Sequence, residues 1–484
     1  MKIEKLFKDV EYTVLQIVSD EITGKNIEFD SRKIENGDIF IALEGAITDG
    51  HEFINKAIEN GAKTILVEKE VPLVEGIGYF LVKDLRKKMG IIASNFYDYP
   101  QNKLKIVGVT GTNGKTTITY ILESILGENK IARIGTVEYK IGEEVIPAPN
   151  TTPSSLEIIK ICKKAIEKGI KYLVMEVSSH GLDIGRVDML RFESGIFTNL
   201  TLDHLDYHKT MENYFLAKRK LFDLVKDKKN SIINIDDEYG KKYFQYTNGI
   251  SYSTKEAADI QGKIKRITRE GQEVEIKIFD KVYNVNLKLL GRYNLYNLLG
   301  AIGAVKILGI SDEEIIEKID KIHGAPGRFQ PVKTEADFTI IVDYAHTGDA
   351  LENILKSINE FKTNRIITVF GCGGDRDKTK RPIMGRIAEK YSDIIVVTSD
   401  NPRTEEPNEI IKDIVIGLEK DNHIIEINRE KAIEKAVELA QKNDIILIAG
   451  KGHENYQIIG REKIHFDDRE EAIRAVNNLK NIVR

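Results

Sequence analysis

Short apolar runs rich in β-branched residues alternate along the chain with stretches whose apolar positions recur at helical spacing. In the first hundred residues "GDIFIAL" and "KTILVEK" read as strands, and "HEFINKAIENG" as a helix stopping at Gly61. The pattern "DLRKKMGIIASNFYDY" predicts a further helix, stopped by Pro100. A second series opens with the strand of "KLKIVGVTGTNGKTT" and the helix "TITYILESIL", followed by the strand-then-loop units "KYLVMEVSS" and "ESGIFTNLT". Residues 260–290 differ, because polar and apolar positions alternate there as in a hairpin. "HGAPGRFQPV" gathers turn-forming residues and sets a boundary near 330. Beyond it "FTIIVDYAH", "RIITVFGCGG", "DIIVVTSD" and "DIILIAGKG" each read as a strand ending in small, polar or charged residues.

Alternation of this kind predicts an α/β protein with parallel sheets flanked by helices, and 484 residues is too long for one core. The expected domains are 1–98, 99–329 and 330–484. In open α/β sheets ligands gather at the carboxyl ends of the strands, so the second and third sections are each expected to offer one lip of a cleft.

Bulk properties narrow the class. The composition is 41% hydrophobic and 31% charged with a net charge of −4, and no basic block suggests a nucleic-acid partner. Two cysteines, Cys162 and Cys372, make neither a disulfide framework nor a four-thiolate zinc site. The N-terminus lacks a signal-peptide core, and no run approaches the ~18 consecutive apolar residues of a membrane span. A soluble cytoplasmic protein, without a membrane partner and monomeric, is expected.

The strongest local chemistry is "VGVTGTNGKTT" between a strand and a helix. Glycines let successive N–H groups turn toward one anion, and the helix N-terminus adds its dipole. Lys115 suits the terminal phosphates and the Thr116 hydroxyl suits Mg²⁺. The match to the general phosphate loop is incomplete, since Val109 stands where that pattern has its first glycine. The competing reading is an ordinary strand-to-helix turn.

Several further residues raise a chemical question. Glu176 ends the strand "KYLVMEV" and reads either as a Mg²⁺ ligand or as a solvated strand-end carboxylate. His204 and His208 are four apart, yet no third ligand at zinc spacing is nearby. In "MENYFLAKRKLFDLV", Met211, Tyr214, Phe215, Leu221, Phe222 and Val225 fall within about 60° of Lys218 on a helical wheel. An ammonium at the centre of an apolar face needs a partner or a changed charge, and the bland reading is that it snorkels to water. "TSDNPRTEEP" puts Asp400, Asn401, Pro402 and Arg403 on a stiff turn after a strand, where the bland reading is a capped turn with a solvated arginine.

Taken in order, "TGTNGKTT", "MEVSSH", "TNLTLDHLDYH" and the "AK…LF" context of Lys218 resemble the Mur ligases, ATP-dependent amide-forming enzymes of peptidoglycan precursor synthesis. The resemblance covers nearly the whole chain. It implies a three-domain architecture: a UDP-binding N-terminal domain, a central ATP-binding domain built on a P-loop ATPase-like parallel sheet, and a Rossmann-like C-terminal domain for the amino acid. It also implies that Gly111, Thr112, Asn113, Gly114, Lys115, Thr116, Thr117 and Asn294 contact ATP. Thr116, Glu176 and a carbamylated Lys218 are implied to hold Mg²⁺, with His204 beside it. Arg328 of "GAPGRF", with Asp343 and His346 of "VDYAHT", completes the implied catalytic set.

For the muramyl-peptide substrate, "FDSRKIENGDIFIAL" implicates Ser31, "NTTP" implicates Thr151 and Thr152, and "SSHGLDIGR" implicates Ser178 and Arg186. One departure from some relatives is Ile184, where they carry glutamine. "DNPR" resembles the recognition motif of ligases that add meso-diaminopimelate to UDP-N-acetylmuramoyl-L-alanyl-D-glutamate. A planar guanidinium suits the distal carboxylate of such an acceptor, and Asp400 suits its ammonium. "GCGGDRDKTKRP" and "AGKGHENYQ" implicate Arg376, Gly450 and Glu454 in the same pocket. Meso-lanthionine shares both ends of the acceptor and fits equally. Within the class the alternative is a ligase with L-lysine as substrate, which lacks the anion for Arg403, or with a folate, against which the "DSR" and "NTTP" segments argue. From another class the alternative is a nucleotide-switch protein, which leaves the third section unexplained.

Overall fold

The computed structural model describes residues 1–45, 48–268 and 271–483, with side chains to 479. The chain divides into two compact units. The first is Met1–Gly108 with Gly127–Ser194 and Ala217–Asp227; the second is Val109–Leu126 with Gly195–Leu216 and Lys228–Arg484.

In the first unit, a five-stranded sheet runs in the order Thr13–Gln16, Gly78–Leu81, Thr64–Val67, Ile39–Ile41, Ile27–Glu28. Only Thr13–Gln16 is antiparallel to its neighbour. The expected strands "IFI" and "TILV" are buried along their whole length, as strands covered on both faces must be. Helix Leu85–Phe96 packs Leu85, Met89, Ile92 and Ala93 with Leu156 and Ile159 of helix Ser155–Glu167. It ends before the "YDY" expected within it, because Asp98 and Tyr99 turn left-handed at φ 59° and 51°. Pro100 opens a short 3-10 turn rather than terminating the helix directly. Ser154 caps Ser155–Glu167 through a reciprocal bond with Glu157, which fixes where the chain leaves "NTTP". Tyr172–Glu176 pairs in parallel with Ile131–Ile134, and two antiparallel strands, Glu138–Ile141 and Glu144–Pro147, extend that edge.

In the second unit, Ser194–Phe197, Ser231–Asn234, Ile250–Ser253 and Ile260–Ile267 are successive parallel neighbours. Residues 260–290 form more than a hairpin: Ile260–Ile267, Gln272–Ile278 and Lys281–Leu287 make a three-stranded meander. Each unit therefore adds antiparallel strands to a set of parallel ones.

The third section is a six-stranded sheet in the order Gln330–Val332, Thr339–Asp343, Ile445–Ala449, Ile366–Phe370, Ile394–Val397, His423–Ile425. The four strands expected from sequence are its parallel centre. Separate cores, one around Leu355, Phe370 and Met384 and one around Val369, Ile433 and Ile448, cover its two faces. Its carboxyl ends carry the loops that begin at Asp343, Gly371, Thr398 and Gly450.

Candidate active site

The phosphate loop lies at the end of strand Lys105–Thr110, and its helix begins at Lys115, two residues earlier than the apolar pattern suggests. That start leaves the first-turn N–H groups without helical acceptors, which is the anion-binding end of a helix. Gly111 and Gly114 have φ of 144° and 90°, conformations that a side chain disfavours. The loop is held from outside. Asn113 N donates to Asn199 Oδ1 at 2.9 Å, Thr198 Oγ1 donates to Asn113 O at 2.6 Å, and Thr112 N donates to Asn199 O at 2.9 Å. Asn113 Nδ2 donates to Asp349 Oδ2 at 2.9 Å, which also accepts from Thr201 Oγ1 at 3.3 Å. Lys115 Nζ bonds the carbonyls of Gly111 and Thr112 at 2.9 and 2.8 Å, so its charge is curled over the loop. Thr116 and Thr117 are buried in the first turn.

Asn294 lies in helix Arg292–Ile307 and bonds Leu290 O and Asn297, while Asn297 Oδ1 faces Gly114 so closely that a Cβ there would overlap it. His204 is exposed and left-handed at φ 53°, with its ring edge-on to Tyr214. His208 instead stacks on Tyr214 at 5.0 Å and is buried, so the two histidines do not act as a pair. Among the described residues no cluster of three His, Cys, Asp or Glu side chains could hold a metal.

The first unit gathers its own polar cluster. Glu176 is buried, and its carboxylate accepts from Thr136 N at 2.8 Å and from Thr136 Oγ1 at 3.1 Å. Thr136 Oγ1 also meets Thr151 Oγ1 at 3.1 Å. Thr152 Oγ1 donates to Glu176 O at 3.0 Å and accepts from Ser178 N at 3.0 Å, and Arg186 Nη1 donates to Thr152 O at 2.6 Å. Thr151, Thr152, Glu176, Ser178 and Arg186 thus converge although they are up to 35 positions apart, since 186 − 151 is 35. Burial holds the Arg186 guanidinium below its ordinary pKa. Ser31 stands apart from this cluster: it is buried in a 3-10 turn, and its carbonyl accepts from Asn60. Lys218 is 1% exposed in helix Met211–Asp223, which excludes the snorkelled alternative, because a snorkelling head must reach water.

In the third section Asp343 is buried and its two oxygens accept from Phe329 N at 2.6 Å and Ala345 N at 2.7 Å. Burial raises its pKa, against the neighbouring Arg328 charge. Arg328 lies over the Tyr344 ring at 4.6 Å, and the His346 ring lies edge-on to it at 4.7 Å.

The "DNPR" turn is more constrained than proline alone requires. Arg403 is left-handed at φ 52°, its N–H donates to Ile458 O at 3.1 Å, and its carbonyl accepts from Gly460 N at 2.7 Å. Its Nη1 donates to Gly374 O at 2.7 Å, which aims the guanidinium and leaves further donors for a ligand. Asp400 is buried so near Gly450, at φ 119°, that a Cβ there would meet its carboxylate at 2.5 Å. Asn401 Nδ2 donates to Glu454 Oε2 at 2.9 Å, and Lys451 Nζ donates to Asn401 Oδ1 and Glu454 Oε2, each at 3.2 Å. Pro402 is buried, whereas Arg376 is exposed and donates to Asp375 O.

Three family descriptions match the chain: "Mur ligase family, catalytic domain" over 23–97, "Mur ligase middle domain" over 109–305, and "Mur ligase, glutamate ligase domain" over 327–452. This chain belongs to the Mur ligase family. It is 51% identical over 484 residues, 99% of each chain, to a protein of Fusobacterium nucleatum named UDP-N-acetylmuramoyl-L-alanyl-D-glutamate--2,6-diaminopimelate ligase. A solved structure bearing the same name superposes with a TM-score of 0.69 at 32% identity, covering 99% of both chains. A MurF ligase from Thermotoga maritima in complex with ADP shares the fold at TM-score 0.68 and 20% identity, covering 96% of this chain and 98% of its own.

Within this Mur ligase, sequence reading missed the residues that hold the expected ones. Thr136 and Asp349 lie outside every segment quoted above, Asn297 was not named beside Asn294, and Asn199, Lys451, Arg381 and Glu405 lie inside "TNLTLDHLDYH", "AGKGHENYQ", "GCGGDRDKTKRP" and "TSDNPRTEEP" without having been singled out. Arg381 is fully buried and bonds Glu405 through both guanidinium arms at 3.0 and 2.9 Å. Glu405 Oε1 also accepts from Asp375 N at 2.6 Å. The two loops bearing Arg376 and Arg403 are thereby clamped together.

Two predictions follow from this geometry. Gly111→Ala forces a Cβ onto the Thr198 hydroxyl at a positive φ, so nucleotide affinity should drop by about tenfold or more in a titration. Arg381, aided by Asp375 N–H, holds the Glu405 carboxyl down to about 2. A depressed folded-state pKa gives stability above the unfolded value that is lost as pH falls toward the folded one. The thermal stability difference between wild type and Glu405→Gln should therefore narrow from about pH 5 to about pH 3.

Proposed function

We propose that this Mur ligase uses ATP to join a diamino dicarboxylic acid, meso-diaminopimelate or its analogue meso-lanthionine, to UDP-N-acetylmuramoyl-L-alanyl-D-glutamate in peptidoglycan precursor synthesis. The observation that carries the acceptor reading is the left-handed Arg403, aimed by Gly374 O, three positions after a buried Asp400. Arginine in that conformation is strained, and the enclosing loops hold it there. A guanidinium edge and a carboxylate match the distal carboxylate and ammonium of one amino-acid end.

We assign 1–98 to UDP binding, 99–329 to ATP and 330–484 to the amino acid, in a cytoplasmic monomer. Among the described residues no helix is long and apolar enough to cross a membrane. Ser31, Thr151, Thr152, Ser178 and Arg186 would hold the nucleotide-linked peptide. Lys115 and the loop amides would take the ATP phosphates, with Asn294 on the nucleotide. The D-glutamyl side-chain carboxylate attacks the γ-phosphorus, giving an acyl phosphate and ADP. The acceptor amine then adds to the acyl carbon and phosphate leaves. Arg328 would neutralise charge on the phosphoryl oxygens, while Asp343 joins Phe329, the residue after Arg328, to Ala345 through two N–H bonds. His346, on the loop after Asp343, would line the same space. Arg376, Asp400, Asn401, Pro402, Arg403, Gly450 and Glu454 would form the acceptor pocket.

We assign Mg²⁺ to Thr116, Glu176 and Lys218 by the chemistry of their donors. Thr116 offers a hydroxyl and Glu176 a buried, oriented carboxylate, both oxygen donors suited to a hard cation. Lys218 fits only after carbamylation, which converts a buried cation to an anionic oxygen donor. Bound Mg²⁺ would supply charge neutralisation on the phosphoryl group. His204 would lie beside it.

Phosphate release should be seen with UDP-N-acetylmuramoyl-L-alanyl-D-glutamate, ATP, Mg²⁺ and meso-diaminopimelate or meso-lanthionine, and not with L-lysine. Arg403→Ala should lose at least about a hundredfold in kcat/KM for the acceptor. Efficient use of lysine would overturn the acceptor reading and leave the ligase. Separately, enzyme stripped of CO₂ at acid pH should lose activity and regain it with bicarbonate; an activity indifferent to bicarbonate, with an unmodified Lys218 by intact mass, would remove the carbamate.

A further inference from the structure

We infer that Tyr344 is a positioning residue for Arg328, whose guanidinium is held by a ring face rather than by a carboxylate. The inference rests on the proposed role of Arg328 at the transferring phosphoryl group. Its physical basis is a problem of charge. An arginine that serves an incoming anion must be fixed in place, yet an internal ion pair would fix it by cancelling the charge it needs. A cation–π contact orients the guanidinium and leaves its N–H edge available.

The surroundings of Arg328 meet that requirement. The guanidinium carbon lies 4.6 Å from the Tyr344 ring centre. Among the described residues no ion pair engages it, and its Nε is buried without a hydrogen-bond partner. Asp343, whose carboxyl feels the Arg328 charge, has one oxygen on Phe329 N and the other on Ala345 N and makes no ion pair with the guanidinium. The ring is itself enclosed by His346 at 4.7 Å and His453 at 5.0 Å. His453 stays neutral near pH 7, lowered to about 4 by burial with the Arg328 charge adding to it. Burial also raises the Tyr344 phenol, so the ring presents a neutral face.

The backbone sets the stack. Tyr344 N donates to Gly327 O at 2.9 Å and Phe329 N donates to Asp343, so the residues on both sides of Arg328 are tied to Asp343 and Tyr344. Gly327 and Gly452, at φ 65° and 55°, approach so closely that a Cβ on Gly327 would overlap His453 N, and one on Gly452 would lie 2.6 Å from Tyr344 Cβ. Only glycines permit that approach, and it presses the "GAPGRF" segment and the "GKGHE" loop around the ring.

The test uses the full-length enzyme with Tyr344 replaced by phenylalanine and then by mono-, di- and trifluorophenylalanine. Fluorine drains the ring face of negative potential with little change of shape, which a packing role would not register. Tyr344→Phe should stay within about twofold of wild type. Each added fluorine should then lower kcat/KM for ATP by about two- to threefold, and the trend should vanish in an Arg328→Ala background. The same series is read on the dissociation constant of a non-hydrolysable ATP analogue, which requires no acceptor. A wild type that binds nucleotide yet releases no phosphate with any acceptor would defeat the proposed reaction, and the binding series would still decide the stack. A flat series in both readouts, or an equal slope without Arg328, overturns the inference.

Discussion

The phosphate loop depends on hydrogen bonds from outside itself. A run of glycines and small residues has the freedom to point its N–H groups at an anion, and the same freedom lets it collapse when no anion is there. Asn199, Thr198 and Asp349 each hold one group of Asn113, and Asn297 closes on Gly114. The conformational cost is met by neighbouring elements before any ligand arrives, which is the meaning of preorganisation in a site proposed to hold phosphates. Lys115, bonded to two loop carbonyls, keeps a positive charge where the phosphates are proposed to bind.

The same logic governs the loops proposed to take the acceptor, with a harsher energetic condition. Arg381 is fully buried, and a buried ion pair adds little net stability because desolvation offsets its attraction. Its effect is geometric. By bonding Glu405, which in turn takes Asp375 N–H, it ties the "GCGGDRD" and "DNPRTEE" loops into one body. Arg429 works similarly deeper in the sheet, spanning Asp468 and the carbonyls of Ser399 and Ala449 immediately before Asp400 and Gly450. Charges that would bind the substrate are thus backed by charges that never meet it.

Local pattern carried a large part of the fold. The four strands of the third section, the strand-loop-helix of the phosphate site and the apolar face around Lys218 were legible because each is written in a window of a few residues. Three readings needed correction for one reason. The helix at 85–96 stops early because Asp98 and Tyr99 go left-handed, residues 260–290 add a third strand, and each unit adds antiparallel strands to its parallel ones. Helix ends and sheet edges are decided by what packs against them, and single-sequence periodicity does not see that.

By itself, the sequence determined the α/β order, the glycines that allow φ above zero at 111, 114 and 450, and the presence of a lysine amid apolar neighbours at 218. It also determined the residue types suited to phosphate and carboxylate. Only the tertiary structure decided which of these are held and by what: that Lys218 is sealed from water, that Thr136 orients Glu176, and that Arg403 hangs between Ile458 and Gly374. The physical reason is range. Backbone propensity acts over one to four residues, whereas burial and hydrogen bonding join positions such as 113 and 349, which come together only when the sheets and the helices between them have packed.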